Sequence, residues 1–224
     1  MPRHARGFDT DAAFAHLGKR DRKLGAWMKK LGPIEADPRW RKPFDPVDAL
    51  ARAILYQQLS GKAAATIVAR VETAIASDRF HCDTLARCDD TTIRACGVSG
   101  NKLLALRDLA LRESRNEIPD LRRMSTMDND AIIAALVPVR GIGRWTVEMM
   151  LMFRLGRPDV LPVDDLGIRK GAQVVDKLDD MLKPKDLIER GERWGPYRTY
   201  ASLYLWRIAD SAVKTKTPTK RSQD

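Results

Sequence analysis

Residues 131–153 read AIIAALVPVRGIGRWTVEMMLMF, and their reading decides the fold. Two apolar runs of helical length flank a short PVRGIG segment, residues 138–143. Pro138 ends the first run, because its ring removes a donor and clashes with the preceding helical turn. Gly141 and Gly143 can take backbone conformations closed to other residues, and they let another group approach the main chain closely. The stretch therefore predicts helix, tight turn, helix. The unsatisfied N–H groups and positive end of the second helix fall just after Gly143, with Arg140 and Arg144 adding charge. Such hardware can hold a phosphate without reading any base. A plain helical corner with a glycine turn is the alternative.

Outward from the hairpin, nearly every periodic segment is helical. Residues 8–17 and 21–31 form a first pair. A proline-containing loop, DPRWRKPFDP, precedes the helical VDALARAILYQQ. Ser60 is placed to cap GKAAATIVARVETAIA, and Asp128 to cap NDAIIAALV. Gly97 and Gly100 break the chain before NKLLALRDLALRE. Further helices are expected from Arg144, Asp164, Lys185 and Pro196. Period-two alternation is scarce, so the expected class is all-α. The last residues, 213–224, read VKTKTPTKRSQD and suggest a basic, flexible tail.

The chain has 224 residues, with 40 Lys and Arg against 30 Asp and Glu, a net charge of +10. That balance points toward a polyanionic partner, nucleic acid first. No apolar run approaches a membrane span and no signal-peptide pattern opens the sequence, so no membrane partner is expected. The expected place is the cytoplasm, at the nucleoid of a bacterium, or the nucleus of a eukaryote. Cys82, Cys88 and Cys96 are odd in number and loosely spaced. They read as buried structural thiols rather than disulfides or metal ligands.

In this basic chain LPVDDLGIRKG, residues 161–171, sets two carboxylates side by side. Asp164 is expected at the start of the following helix, capping free N–H groups and staying ionised, with Asp165 inside the first turn. Both could serve the helix alone.

GIGRWT followed about one helix later by PVD is far more specific than two glycines. Together they resemble the helix-hairpin-helix DNA glycosylase superfamily. PVDALARAILYQQLSGKAAATIVARV, PVDDLGIRKG and RWGPYRTYASLYLW are similar to the alkylated-base, 3-methyladenine type. The resemblance covers roughly residues 44–206. It implies a single glycosylase domain of two lobes with an active cleft between them. Lobe one would span about 46–153, and lobe two about 8–45 plus 154–211. The implied reaction is hydrolysis of the N-glycosidic bond of 3-methyladenine, with 7-methylpurines as further substrates, in duplex DNA at the start of base excision repair. A monomer is expected. Two alternatives stay open: a glycosylase for an oxidised, deaminated or mismatched base, and a non-catalytic DNA-binding module.

The resemblance also implies roles. Asp164 is the catalytic carboxylate, stabilising the positive charge that develops on the sugar as the base leaves. Trp145, Trp206, Tyr56 and Asp165 would form the base pocket, where rings favour a cationic lesion. Other tryptophans (Trp27, Trp40 and Trp194) read as core. Gln58, with Leu59 beside it, would be the wedge that fills the hole left by a flipped base. Arg140, Gly141, Gly143, Arg144 and Thr146 would grip phosphate. A Na+ or K+ ion is implied at the backbone carbonyls of Val137, Val139 and Ile142. Trp145 stands where lyase-active relatives carry a nucleophilic lysine, so no Schiff base and no lyase activity are expected. No cysteine follows Asp164, so no iron–sulfur cluster is expected, and no cofactor is required. Met149 departs from the tyrosine of some relatives.

Overall fold

The computed structural model describes residues 4–216, with side chains described through residue 212. Among them the helices are α1 (Thr10–Arg20), α2 (Arg22–Leu31), α3 (Pro46–Tyr56), α4 (Gly61–Ile75), α5 (Cys82–Leu85), α6 (Asp90–Ala95), α7 (Gly100–Ser114), α8 (Leu121–Met124), α9 (Asn129–Leu136), α10 (Arg144–Phe153), α11 (Leu166–Asp176), α12 (Pro184–Gly191) and α13 (Arg198–Lys216). Two short 3-10 helices add Pro38–Arg41 and Glu192–Trp194. No strand occurs among the described residues, so the class is all-α. No helix there is long and apolar enough to cross a membrane.

The chain divides into two compact units. The first contains Lys42–Val147 and His4, and the second contains Ala5–Arg41 and the described residues from Glu148 onward. The boundary falls inside α10.

In the first unit α3 packs on α4 and α7, and α5 and α6 also pack on α7. The core is made by Leu50, Ile54 and Leu55 of α3, Val68, Val71 and Ile75 of α4, and Leu103, Leu106 and Leu109 of α7. Burying each such side chain contributes about 1.5–3 kcal/mol relative to leaving it in water. Arg52 holds Asp48 at 2.8 Å on its own helix and Glu72 at 2.9 Å on α4, which fixes the two helices laterally. Ser60 caps α4 and Asp128 caps α9, as their positions predict.

In the second unit α11 packs along α13, with α1, α2 and α12 around them. Leu17, Leu24, Met28, Ile168, Trp194, Tyr200, Tyr204 and Leu205 form its core. The approach of α11 to α13 needs a glycine. A Cβ at Gly171 would run into the Leu205 carbonyl oxygen. Asp21 caps α2 and is itself buried, accepting the Trp194 indole N–H at 2.8 Å and pairing with Arg190. Burial works against its charge, yet Arg190, Trp194 and the Leu24 N–H together hold its carboxyl below the usual range.

Several boundaries differ from the periodicity reading. Phe8 lies before α1 and packs on Trp40 with ring centroids 4.7 Å apart, while Asp9 takes the cap position. The last helix begins at Arg198 rather than Pro196. Periodicity does not reveal the short helices α5, α6 and α8, since four to six residues are too few to show a period. The segment expected as a tail from 213 instead continues α13 to Lys216, and the remainder of that expected tail lies outside the described residues. All three cysteines are free, but only Cys96 is buried. Cys82 and Cys88 are partly exposed, because they sit at the start of α5 and just beyond its end rather than on a core-facing helical stripe. Trp40 and Trp194 are core, whereas Trp27 is half-buried under Lys30.

Candidate functional site

The hairpin of the first unit joins α9 to α10. Val139 and Ile142 are buried and anchor the turn, and the Ile142 N–H donates to the Val139 carbonyl at 3.0 Å. Gly141 has φ +78°, a conformation that L side chains rarely adopt. Gly143 has no such requirement, which corrects the expectation that both glycines serve conformation. A Cβ at Gly143 would meet nothing within 4 Å. Glycine there leaves open space beside the start of α10 and supplies no side-chain oxygen to cap its first N–H groups. The Gly143 carbonyl accepts the N–H of Thr146 at 3.0 Å, so α10 winds directly from this residue.

Two side chains from elsewhere in the unit secure this turn. Asp108 of α7 accepts the Arg140 N–H at 2.8 Å. Burial opposes its charge, but that N–H and Arg112 keep its carboxyl below the usual range. Gln57 donates its amide to the Gly141 carbonyl at 2.8 Å. Arg144 is exposed, 3.8 Å from Asp130, and Thr146 is half-buried on α10. The Val139 carbonyl, already used once, retains a lone pair, and carbonyl oxygens are suitable donors for a hard monovalent cation.

The α3–α4 turn is held as firmly. Lys102 of α7 donates to the Leu55 carbonyl at 2.7 Å, satisfying the end of α3, and burial lowers its pKa. Tyr56 and Leu59 are exposed, at 42% and 40%. Gln58 has φ +56°, uncommon for a residue with a side chain and of a kind that gathers at functional sites. On α10, Trp145 is 49% exposed.

The two aspartates lie in the second unit, and the structure reverses their expected positions. Asp165, not Asp164, is the N-cap of α11 and accepts the Ile168 N–H at 2.9 Å. The reason is a turn closed by the Asp165 N–H on the Pro162 carbonyl at 3.1 Å, which delays the helix by one residue. Asp164 occupies the third position of that turn and is exposed. Among the described residues no hydrogen bond or ion pair engages its carboxylate.

Asp165 also accepts the Trp206 indole N–H at 2.8 Å, so the structure brings these two predicted residues together. Trp206 is half-buried and stacks on Phe153, with centroids 6.0 Å apart and planes at 18°. A Cβ on Gly167 would approach Trp206 Cδ1 to 2.8 Å and Asp165 Oδ1 to 3.1 Å. Gly167 is thus what lets the indole lie against the start of α11. Phe153, in turn, lines a cavity of about 310 Å³ with Ile34, Asp37, Trp40, Met152 and Leu203.

Sequence reasoning missed Gln57, Asp108, Phe153 and Gly167. Gln57 stands beside Gln58 with no signal to separate their tasks. Gly167, inside a helical run, was the one visible anomaly.

Residues 51–196 match the model of the HhH-GPD superfamily base excision DNA repair proteins. DNA-3-methyladenine glycosylase 1 of Schizosaccharomyces pombe is 33% identical over 202 residues, covering 90% of this chain and 88% of that protein. The solved structure of a Schizosaccharomyces pombe 3-methyladenine DNA glycosylase in complex with abasic DNA is similar with a TM-score of 0.74 and 32% identity, over 88% of this chain and 95% of that one. The DNA-3-methyladenine glycosidase of Bacillus halodurans gives 0.81 and 31%, over 96% and 95%. With a family match across most of its length and relatives at this level of identity, the chain belongs to the HhH-GPD superfamily of base excision DNA repair proteins.

Proposed function

We propose that the protein is a monofunctional DNA glycosylase that hydrolyses the N-glycosidic bond of alkylated purines, 3-methyladenine foremost, in duplex DNA. The observation behind this reading is the division of labour between neighbouring carboxylates. Asp165 is committed to the α11 cap and to Trp206, while Asp164 is exposed and unengaged among the described residues. An exposed anion in a chain of net charge +10 is suited to the cationic sugar that forms as the base departs. It can also orient the attacking water.

In this reading the open backbone at Gly143, with Arg140, Arg144 and Thr146, grips a phosphate. A monovalent cation at the carbonyls of Val137, Val139 and Ile142 would add positive charge there. Gln58 and Leu59 occupy the place of the extruded base, and Trp206, Trp145 and Tyr56 supply faces for it. A purine alkylated at N3 or N7 is cationic in the nucleotide and a good leaving group, so no acid aimed at the base is required. The lesion-bearing duplex is the substrate of a monomer, and no cofactor takes part in the chemistry.

Incubating the protein with alkylated duplex and identifying the released bases tests the proposal. Release of 3-methyladenine, abolished by Asp164→Asn, is the expected result. Release only of an oxidised, deaminated or mismatched base would move the substrate class. DNA binding with no release of any base would leave a binding module. Borohydride added during turnover should trap no protein–DNA adduct, since Trp145 offers no amine.

A further inference from the structure

The second unit carries a charged groove of about 670 Å³ that shares no residue with the site above. Lys19 and Arg20 come from the end of α1, Arg22 and Lys23 from the start of α2, and Arg190 and Arg193 from the end of α12 and beyond. Its carboxylates are Asp21 and Asp176. The floor neutralises itself. Arg190 pairs with both Asp21 and Asp176, and Lys23 lies 3.3 Å from Asp176. Two positive charges thereby meet two negative ones. Lys19, Arg20, Arg22 and Arg193 remain, all exposed. Among the described residues no hydrogen bond or ion pair engages their side chains, which leaves four uncompensated positive charges.

Folding explains only part of this arrangement. Lys19 and Arg20 suit the negative end of α1. Arg22 and Lys23 do not suit theirs. They occupy the first turn of α2, where the helix end is positive and no acidic residue of that turn offsets them. The cap Asp21 is already committed to Arg190 and Trp194. Lys23 is offset by Asp176, whereas Arg22, held against the helix field with no partner for its side chain among the described residues, is accounted for by a ligand of opposite sign.

Among the described residues no aromatic side chain lines the groove, and its only side-chain acceptors there are the two engaged carboxylates. It has nothing to stack on a base and nothing left to read one. We infer that this groove binds the phosphodiester backbone of DNA, as a contact independent of lesion recognition. The inference shares the DNA partner of the reading above but none of its chemistry.

The test is the salt dependence of binding to an undamaged duplex. One variant combines Lys19→Gln, Arg20→Gln, Arg22→Gln and Arg193→Gln. A control combines Lys29→Gln, Lys177→Gln, Lys183→Gln and Lys185→Gln, exposed cations of the same unit that do not line the groove. Both remove the same net charge. The groove variant should lower the slope of log K against log salt by about 0.9 for each phosphate it no longer neutralises, and weaken low-salt binding about tenfold beyond the control. Equal losses in the two variants would overturn the proposal. Retained DNA binding together with lost binding of poly-glutamate would also overturn it, by assigning the groove to an acidic protein. Single-turnover release from saturating alkylated duplex should match wild type in the groove variant. That readout judges the Asp164 chemistry separately, so failure of one reading leaves the other standing.

Discussion

The indole N–H of Trp206 and the backbone N–H of Ile168 converge on a single oxygen, Asp165 Oδ1, at 2.8 and 2.9 Å. One carboxylate therefore both starts α11 and fixes a ring carried by α13. Asp165→Ala removes both hydrogen bonds and should destabilise the protein by about 1 kcal/mol through the absent cap alone. Asp165→Asn keeps an acceptor and should cost less. Thermal melts give the stability order, and a shift in tryptophan emission in the Ala variant reports the freed indole. Equal melting of wild type and Asp165→Ala would contradict the cap.

Asp164→Asn should behave in the opposite way. Its carboxylate is exposed and unengaged among the described residues, so melting should be nearly unchanged. Base release should fall by at least about 10²–10³-fold, the scale of removing one preorganised electrostatic group. Binding to an abasic-site analogue should persist. Near-wild-type turnover would remove Asp164 from the chemistry.

Trp206→Ala separates ring charge from ring shape. In the proposed pocket role of Trp206, a cationic lesion would gain about 0.5–2 kcal/mol from the ring face beyond what a neutral one gains, or about 2- to 30-fold. Release of 3-methyladenine should suffer by that factor more than release of hypoxanthine. An equal loss on both would make the indole a spacer.

The two hairpin glycines give a contrast within one turn. Gly141→Ala forces a side chain onto φ +78°, 3.3 Å from the Ala105 Cβ, and should lower stability by about 1 kcal/mol or more. Gly143→Ala has ordinary φ and open space, so its melt should match wild type. Its methyl group meets only what binds there. DNA affinity should therefore drop for all sequences and lesions alike in the Gly143 variant. A changed lesion preference with unchanged affinity for undamaged DNA would rule out the phosphate grip.

His81 makes the first unit sensitive to pH. Burial disfavours its charged form, but the Glu113 hydrogen bond at 2.6 Å and the charges of Asp45, Glu113 and Asp83 prevail and raise its pKa. A raised folded value means stability that is fully present below the unfolded pKa, about 6.5, and is lost as pH rises through the folded one. The urea midpoint of wild type should fall across that window, and His81→Gln should flatten the fall. An identical pH profile in the variant would show that His81 stays neutral.

The all-α class was legible because residues such as Leu50, Ile54 and Leu103, Leu106 repeat at helical spacing, and because Ser60 and Asp128 announce the starts of their helices. The hairpin was legible in Pro138 and Gly141. The order of Asp164 and Asp165 was not, since a single turn hydrogen bond to Pro162 decides which of two identical side chains becomes the cap. Nor was the partnership of Phe153 with Trp206, which depends on tertiary packing between distant segments. Gly143 stands out in the sequence, but its value lies in the space it leaves, not in its dihedral angles.

The Gln57 bond to Gly141 has a mechanical meaning. It fastens the α3–α4 turn to the hairpin through one side chain, and Asp108 and Lys102 pin both to the same helix, α7. Under the proposed roles, the element that probes the stack and the element that holds the strand behave as one jaw. Strain applied at Gln58 during base extrusion is passed to the grip at Gly141 instead of dissipating in a loose loop. Holding and probing are then coupled through Gln57, and an engineer seeking a weaker hold with the same search behaviour would first have to replace Gln57.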